Sequence, residues 1–478
     1  MERTELEWLK HLIACHDKAK KDLTSLDSYY EGKQPLSYMA PELQRELEES
    51  VRQVVINWPR LVVDAIEERL DVVGFRFPGI AQADEELWRI WQANDLDEQS
   101  QQGHLDALVM KRAYVVVGAN EDDAATPIVT VESALDMYAE HDPRTRKVAA
   151  AVKRWSEGED TDKVEHATLY VPGSTIWYVE QDGEWVEDPD YPRDDHGLNV
   201  VPVEVLANRP RLKKRDGVSE LADVIPLSDA ACKIATDMMI SAEYHATPRR
   251  VAFGFGEDDF VDEQGRRISA WSRIAGRIWA TEKNKKDHGV DVMQFPEADL
   301  KNFHSTINQL AQLVASLVGM PPHFMGQTTA NPASADAIRS AESRLVKRAE
   351  RKQGAWGGAW ERVMRLVLLV RDGEESSEAR ALETIWRDAS TPTVAQAADA
   401  AVKKKQAGIV PLRQTREDLG YTQAQIARME EQDEADASSV LRRLGNGDVS
   451  PLFGTKSGSP PEPPADDAPP EALSGNAA

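Results

Sequence analysis

The side chains that could do chemistry are few in this sequence and widely scattered. His11 and Cys15 lie four residues apart in a segment of helical apolar spacing, which would place an imidazole beside a thiol. A nucleophilic pair also needs a third group that orients the imidazole, and the sequence identifies none. We therefore expect a core or interface pair at these two positions.

Acidic clusters are the second kind of candidate site. Glu257-Asp258-Asp259 and Asp194-Asp195 could bind divalent cations. Neither cluster has the alternating oxygen ligands and closing Glu of an EF-hand calcium loop. We therefore expect solvated loops at both places.

The familiar catalytic and nucleotide-binding motifs are missing. The sequence contains no HExxH, CxxC, HxH or GxSxG pattern, and Gly454-Thr-Lys-Ser457 lacks the first glycine of a phosphate-binding P-loop. We expect a protein that is not an enzyme, with no catalytic residue, no cofactor and no bound metal.

Composition limits the class of protein and its partners. The 478 residues predict about three domains at roughly 150 residues each, and 41% apolar with 29% charged residues is typical of a globular chain. With 57 basic and 82 acidic residues the net charge is −25, so a single chain should be repelled by a phosphate backbone. This charge argues against a sequence-reading DNA-binding protein.

The cysteine content and the lengths of the apolar runs indicate where in the cell the chain folds. Cys15 and Cys232 are too few and too far apart for a disulfide framework, which favours folding in a reducing cytoplasm. The acidic N-terminal segment does not have the pattern of a secretory signal, and no uncharged run reaches the length that spans a bilayer. We expect no membrane partner.

One cluster of basic residues contrasts with this acidity. It lies in a long helical segment with Glu342 and Glu350 intermixed, and it consists of Arg339, Arg344, Lys347, Arg348, Arg351 and Lys352. Such a cluster is either a solvated, salt-bridged helix face or a contact for phosphate or for an acidic neighbouring subunit. Both alternatives stay open at this point.

The elements that would position these groups are of mixed type in the first half of the chain. Apolar periodicity predicts helices near Leu6, after Asn57-Trp58-Pro59, and over residues 85–94 and 97–112. A β-branched run at 113–118 is expected to pair with 128–131, and residues 142–209 read as a β-rich meander. Ser219 is expected to cap a helix that runs to about residue 246.

The second half is mainly helical. A helix is predicted from about residue 297 to 319 and another from 332 to 371, where about 38 residues would extend nearly 60 Å. Trp356 and Trp360 are expected in the core, and the glycines at 354, 357 and 358 mark a kink or a backbone contact. Further helices are predicted over 394–407, 411–419 and 422–444, and the Pro-rich segment 445–478 is expected to be disordered.

The order of several short motifs resembles the portal proteins of tailed bacteriophages, in the siphovirus-type family. These motifs are Tyr29-Tyr30-Glu31-Gly32, Asn57-Trp58 with Val72-Val73-Gly74-Phe75, Gly217-Val-Ser-Glu-Leu221, and Gly319-Met-Pro-Pro-His-Phe-Met-Gly326 before a loop and a very long helix. No single motif is diagnostic, and the resemblance rests on their serial order over residues 6–444.

The resemblance implies an α+β fold that is mainly helical, with long stem and wing helices, a small β-containing clip and a helical crown. Carried onto this chain, the divisions are the wing 1–226, stem helices 227–246 and 297–319, the clip 247–296, the turn and tunnel loop 320–334, the long wing helix 335–371, the crown 372–444 and the tail 445–478. The tunnel loop, which would face DNA in a channel, would contain Gln327, Thr328, Thr329, Ala330 and Asn331. Since none of these five is charged, contact with DNA would be polar or steric.

The same resemblance implies a ring of about twelve copies at one capsid vertex, through which DNA is packaged and later leaves. Implied partners are the large terminase subunit, a head-completion adaptor protein, capsid and scaffolding proteins, and double-stranded DNA passing without sequence specificity. The implied location is the virion, after assembly in the host cytoplasm.

Physical reasoning agrees with such a conduit. A channel through which DNA moves should not bind it tightly. A ring of chains that each carry a net charge of −25 would repel the phosphates of DNA if acidic side chains also line the channel.

Two alternatives to a portal protein remain. The chain could be another virion structural or scaffold protein, or a metal-dependent nuclease or hydrolase that uses carboxylates such as Asp258 and Asp259.

Overall fold

The computed structural model of the chain describes most of the sequence. The described residues are 3–35, 54–80, 82–158, 163–246, 250–253, 291–294, 300–326, 335–374, 376–390, 394–421 and 423–445. The chain divides into two compact units, Met1–Gln396 and Ala397–Ala478. The predicted tail beyond Gly445 and most of the predicted clip lie outside the described residues.

Helices account for much of both units. Their bounds are α1 Glu5–Tyr30, α2 Trp58–Glu67, α3 Glu85–Ala93, α4 Leu96–Met110, α5 Ile225–Ala246, α6 Lys301–Val318, α7 Ala335–Asp372, α8 Val394–Gln406, α9 Leu412–Asp418 and α10 Gln423–Gly445. The strands are β1 Val72–Arg76, β2 Arg112–Gly118, β3 Ile128–Ser133, β4 Met137–His141, β5 Val148–Glu157, β6 Val164–Val171, β7 Ser174–Gln181, β8 Glu184–Glu187, β9 Val203–Ala207, β10 Arg250–Phe253, β11 Asp291–Gln294 and β12 Glu383–Trp386. The predicted α+β class is confirmed.

Local signals set several of these boundaries. Helix α1 begins with a capping box, in which the Thr4 side chain accepts from the Glu7 amide and the Glu7 carboxylate accepts from the Thr4 amide. Helix α2 begins as predicted, with the Asn57 side chain accepting from the Arg60 amide at 3.1 Å. The Asn57 amide group also donates to the Tyr30 carbonyl at 2.9 Å, so two of the motifs meet in space.

Strands β5 to β8 of the predicted meander form a five-stranded antiparallel sheet together with β4, in the order β4-β5-β6-β7-β8. The last strand of the predicted meander, β9, instead pairs with β2 in another sheet. Helix α1 covers one face of the five-stranded sheet, where Leu9 and Leu12 are fully buried with Val152, Leu169 and Ile176. This small core is separate from the main core of the first unit. Burial of these side chains therefore fixes the N-terminal half of α1 on the sheet.

The predicted pairing of β2 with β3 is confirmed. Their register matches Val115 with Val131 and Gly118 with Ile128, and β9 pairs with the other edge of β2. Helices α4 and α7 contact this three-stranded sheet. It therefore lies between helices in the main core.

Aromatic side chains concentrate where α7 crosses the main core. Trp356 and Trp360 are at most 1% exposed, so their predicted place in the core is confirmed. The Trp360 indole Nε1 donates to Nε2 of the fully buried His104 at 2.9 Å, and the His104 ring stacks on Trp356. Burial lowers the pKa of His104 to about 3, although the backbone of Leu70 offsets part of this effect.

Strand β12 was not predicted, because residues after 372 were assigned to a helical crown. It pairs antiparallel with β1 and contacts α7, and this places it in the first unit. Thr384 Oγ1 donates to the Gly357 carbonyl at 3.0 Å, and a Cβ at Gly357 would lie 3.1 Å from Trp386 Nε1. Gly357 is therefore a contact point, as predicted for this group of glycines.

The start of α5 corrects another prediction. Ser219 does not cap a helix, because its hydroxyl accepts from the Leu221 amide within a turn, and α5 begins only at Ile225. Helix α6 likewise begins at Lys301, four residues after the predicted start. Helix α5 packs against α6, and the strands β10 and β11 pair at the two ends of the segment between them.

The second unit contains predicted helices that the structure confirms closely. Arg413 binds Glu430 at 2.6 Å and Arg416 binds Asp433 at 2.6 Å, joining α9 to α10. Ile426 is fully buried. Among the described residues, no helix combines the length and the apolarity needed to cross a bilayer.

Candidate functional site

The site with the clearest geometry is formed by the two helices that flank the predicted tunnel loop. Gln327, Thr328, Thr329, Ala330 and Asn331 lie outside the described residues, but both flanks are described. On one side α6 leads into a short 3-10 turn, Pro322–Met325, and on the other side α7 begins at Ala335. The flanks therefore define the base of the loop.

Helix α6 ends at a glycine because no other residue fits there without displacing its neighbour. Gly319 has φ of 71°, a left-handed conformation, and its amide donates to the Ala315 carbonyl. A Cβ at this position would lie 2.5 Å from Cδ of Arg344. The close approach brings the α7 side chain over the end of α6.

Two of the predicted basic residues bind main-chain carbonyls at that helix end. Arg344 Nη1 donates to the Ser316 carbonyl at 3.0 Å, and Arg348 donates to the Val318 carbonyl. The last carbonyls of a helix have no partner within the helix, and cations there also interact favourably with the helix dipole. These contacts join α6 to α7 across the loop.

A buried carboxylate stands at the centre of the same region. The side chain of Glu220 is fully buried, and its Oε1 accepts from Lys352 Nζ at 2.5 Å while its Oε2 accepts from Arg348. Arg209 lies 3.7 Å away, and Asn208 accepts from Lys352. Burial alone would raise the pKa of Glu220, but the cations Lys352, Arg348 and Arg209 lower it below its ordinary value.

The motif Gly217-Val-Ser-Glu-Leu221 presents this carboxylate. Gly217 has φ of 80°, and a Cβ there would lie 2.4 Å from the Lys111 carbonyl oxygen and 2.6 Å from that of Asn208. The Glu220 amide donates to the Leu108 carbonyl at 2.9 Å, which fixes the backbone that bears the side chain. The glycine is needed because two main-chain segments pass too close for any side chain.

The six predicted basic residues are thus divided among different roles. Lys352 is buried and Arg348 half-buried in the Glu220 network, whereas Lys347 binds Glu350 on the surface of α7 at 2.6 Å. Arg351 is exposed, and Arg339 lies in α7 with its side chain outside the described set. Contact of these residues with phosphate or with a neighbouring subunit stays a prediction.

Sequence reasoning missed two features of this region. The partners Glu220 and Asn208 are more than 100 residues away from Lys352, so no local pattern points to them. The loop before Gly217 also has exposed or half-exposed cations, Arg211, Lys213, Lys214 and Arg215, beside Leu212, which is 87% exposed. This basic run is visible in the sequence as RLKKR and could have been singled out there.

The two acidic clusters singled out in the sequence have different outcomes. Asp195 accepts from Arg193 at 2.6 Å and from Ser174 at 2.8 Å, so it is paired within the chain. Asp258 and Asp259 lie outside the described residues.

His11 and Cys15 are brought together as predicted, with the His11 Nε2 atom 3.8 Å from the Cys15 sulfur. The third group that the sequence did not identify is Glu140 of β4, whose Oε2 lies 2.5 Å from the same Nε2.

Helix α6 presents a face with little charge beside the loop. Lys301 is its single Lys, Arg, Asp or Glu in 18 residues, within a chain of which 29% is charged. Leu313 and Leu317 lie one turn apart on it, and each is 53% exposed. An isolated chain therefore leaves apolar side chains of this helix in water.

Comparisons with known proteins identify the family to which the chain is similar. The family described as "Phage portal protein, SPP1 Gp6-like" matches residues 9–439. The chain is 37% identical over 446 residues to the portal protein of Mycobacterium phage L5, covering 91% of this chain and 90% of that protein. It is 36% identical over 444 residues to the portal protein of Mycobacterium phage D29, with the same coverage.

A solved structure titled "Neck of native GTA particle computed with C12 symmetry" is also similar. The match covers 84% of this chain and 93% of that chain, with 16% identity and a TM-score of 0.40. The family match and the two relatives extend over nearly the whole chain. The chain therefore belongs to the phage portal protein family.

Proposed function

We propose that about twelve copies of this chain form a ring at one capsid vertex, and that the genome enters and leaves through its central channel. The observation that carries this proposal is the portal family match over residues 9–439. In this proposal the chain has a structural role, which is to enclose the channel, and it catalyses no reaction.

The charge of the chain suits a conduit. Each copy carries a net charge of −25, so a ring of copies repels the phosphates of DNA when some of its acidic side chains line the channel. The charge-poor helix α6 adds a surface that offers few cations to phosphate. DNA can then slide without being bound tightly.

The fixed base of the loop supports its role at the channel. Arg344 and Arg348 hold the end of α6, and Lys352 ties α7 to the buried Glu220. A loop with both ends anchored can project Gln327, Thr328, Thr329, Ala330 and Asn331 towards DNA. Because none of them is charged, they act through steric or polar contact.

The exposed leucines of α6 support contact between copies. Leu313 and Leu317 are each about half exposed in the single chain, and burying such side chains gains roughly 25 cal/mol per Å² of apolar area. A neighbouring copy that meets this face by a head-to-tail contact generates a ring when the rotation closes.

The partners follow from the same proposal. The segment 247–296 lies between α5 and α6 and offers a surface to the large terminase subunit during packaging and to a head-completion adaptor afterwards. Capsid and scaffolding proteins surround the wing, and assembly takes place in the host cytoplasm before the chain becomes part of the virion.

The test is an insertion of two Gly-Ser pairs between Gln327 and Asn331 in a phage that depends on this gene. We expect rings to form normally while packaged DNA falls sharply, because the enlarged loop obstructs the channel. The matched control places the same insertion at the exposed loop residues 121–124, where packaging should stay normal. Equal packaging by both variants would remove the loop from the mechanism.

A further inference from the structure

The side chains His11, Cys15 and Glu140 form a cluster that the portal function does not use. His11 and Cys15 project from one face of α1, four residues apart, and Glu140 reaches them from strand β4 of the five-stranded sheet. Their ligand atoms all lie within 4.8 Å of one another. Within the part of the chain that the structure describes, no other three His, Cys, Asp or Glu side chains meet in this way.

We propose that these three side chains bind Zn²⁺. An imidazole nitrogen, a thiolate sulfur and a carboxylate oxygen are the ligands that zinc takes in proteins, and two ligands at helix positions i and i+4 are a known zinc-binding arrangement. The soft thiolate selects against Mg²⁺ and Ca²⁺, which prefer oxygen ligands.

The distances allow a tetrahedral ion after a small movement. Zinc bonds of about 2.0–2.3 Å place neighbouring ligand atoms about 3.3–3.8 Å apart. The Cys15 sulfur is already 3.8 Å from His11 Nε2, whereas Glu140 Oε2 is 2.5 Å from that nitrogen. The carboxylate must therefore move away from the imidazole by about 1 Å, which replaces their hydrogen bond with two bonds to the ion.

Neighbouring groups hold the ligands in place. The His11 ring meets Trp8 edge to face, with 6.0 Å between ring centroids, which limits rotation of the imidazole. Arg3 lies 3.5 Å from Glu140 Oε1, whereas His11 contacts the other oxygen, Oε2, so Arg3 can remain paired while Oε2 binds the ion.

The position of the cluster gives such an ion a structural effect. His11 and Glu140 are each about one third exposed, which leaves room for water as the fourth ligand. The ion would join α1 to the edge strand β4, next to the small core of Leu9 and Leu12. Bound zinc should therefore stabilise the docking of α1 on the sheet.

Cobalt is the probe for this site, because a Co²⁺–thiolate bond produces a charge-transfer absorption band. The full chain, freed of metal with a chelator, is titrated with Co²⁺. We expect about one ion per chain with this band, and its displacement by Zn²⁺. Cys15→Ser should abolish the band and weaken binding by more than about tenfold.

Cys232→Ser is the matched control, because Cys232 is the other cysteine, is buried beside Ile56 and is not part of the cluster. It should keep the band unchanged. A second measurement uses the unmodified chain, in which Zn²⁺ should protect Cys15 from alkylation by iodoacetamide at residue resolution. Cobalt binding without a thiolate band, or alkylation of Cys15 at the same rate with and without Zn²⁺, would overturn the proposal.

Discussion

Arg344 donates a hydrogen bond from Nη1 to the main-chain carbonyl of Ser316 at 3.0 Å, although the residues are separated by the segment predicted to be the tunnel loop. Together with Arg348, which donates to the Val318 carbonyl, it fixes the end of α6 against α7. The base of the loop is thus fixed by side chains of the chain itself.

The Glu220 network should contribute strongly to stability. Lys352→Met removes one of the cations around a fully buried carboxylate, so the free energy of unfolding should fall by about 3–5 kcal/mol. Lys347→Met is the control, because Lys347 pairs with Glu350 on the exposed surface of α7, and its loss should cost less than about 1 kcal/mol. Denaturant unfolding measures both, and similar losses for the two variants would contradict the assigned roles.

His104 should make stability depend on pH. Its pKa is about 3 in the folded chain, below the ordinary value of 6.5, so the unfolded state takes up a proton that the folded state does not. The free energy of unfolding should therefore decrease as pH falls below 6.5, by up to about 1.4 kcal/mol per pH unit from this residue.

The comparison that isolates this effect is His104→Gln, which keeps an acceptor for the Trp360 indole. The variant should show a smaller loss of stability between pH 6 and pH 4 than the natural chain. Denaturant unfolding gives the free energy of unfolding of each chain as a function of pH. The slopes of the two profiles are compared, because a destabilisation that is the same at every pH does not change the slope. Parallel profiles would mean that His104 is protonated in the folded state at these pH values.

The α6 leucines provide a test of the contact between copies. Leu313→Lys with Leu317→Lys should reduce the fraction of chains in rings, because charged side chains would lose solvation in the proposed contact. Leu212→Lys is the control, since Leu212 is 87% exposed within a basic loop. Analytical ultracentrifugation measures the ring fraction, and assembly by the double variant at the natural level would exclude this face from the contact.

The segment after residue 446 is predicted to be unnecessary for assembly. Its Pro, Ser and Gly content, including Pro460-Pro-Glu-Pro-Pro464, predicts too little buried apolar area for a folded core. A chain that stops at Asn446 should therefore assemble like the full chain in size-exclusion chromatography. Loss of the assembled peak would show that this segment takes part in ring formation.

Elements with strong local signals could be predicted from the sequence. The β-branched runs at 113–118 and 128–131 pair as expected, since cross-strand packing of such residues stabilises a hairpin. The helices over 394–407 and 411–419 were predicted to within about two residues, because Pro and Gly mark their ends.

Elements that depend on distant partners could not be predicted. Strand β12 has only four residues and is held by β1, about 300 positions earlier, and by Gly357 of α7. Ser219 looked like a helix cap, but the amides of Val218 and Glu220 donate to the carbonyls of Asn208 and Leu108, which keeps that segment out of a helix. Tertiary hydrogen bonds outweigh the local preference there.

The same limit applies to the functional residues. The basic residues of α7 were visible as a cluster, but Glu220, which determines the surroundings of Arg348 and Lys352, is 128 and 132 positions away from them. Glu140, the group that completes the His11 and Cys15 cluster, is likewise 129 positions from His11. Charge and spacing identify such residues in the sequence, whereas their partners become known only from the fold.

The central claim is that copies of this chain enclose a channel, and negative-stain electron microscopy of the purified chain tests it most directly. We expect closed rings of about twelve subunits with a hole on the axis, in the absence of any other phage protein. Single compact particles under all buffer conditions, at micromolar protein concentration, would contradict the account.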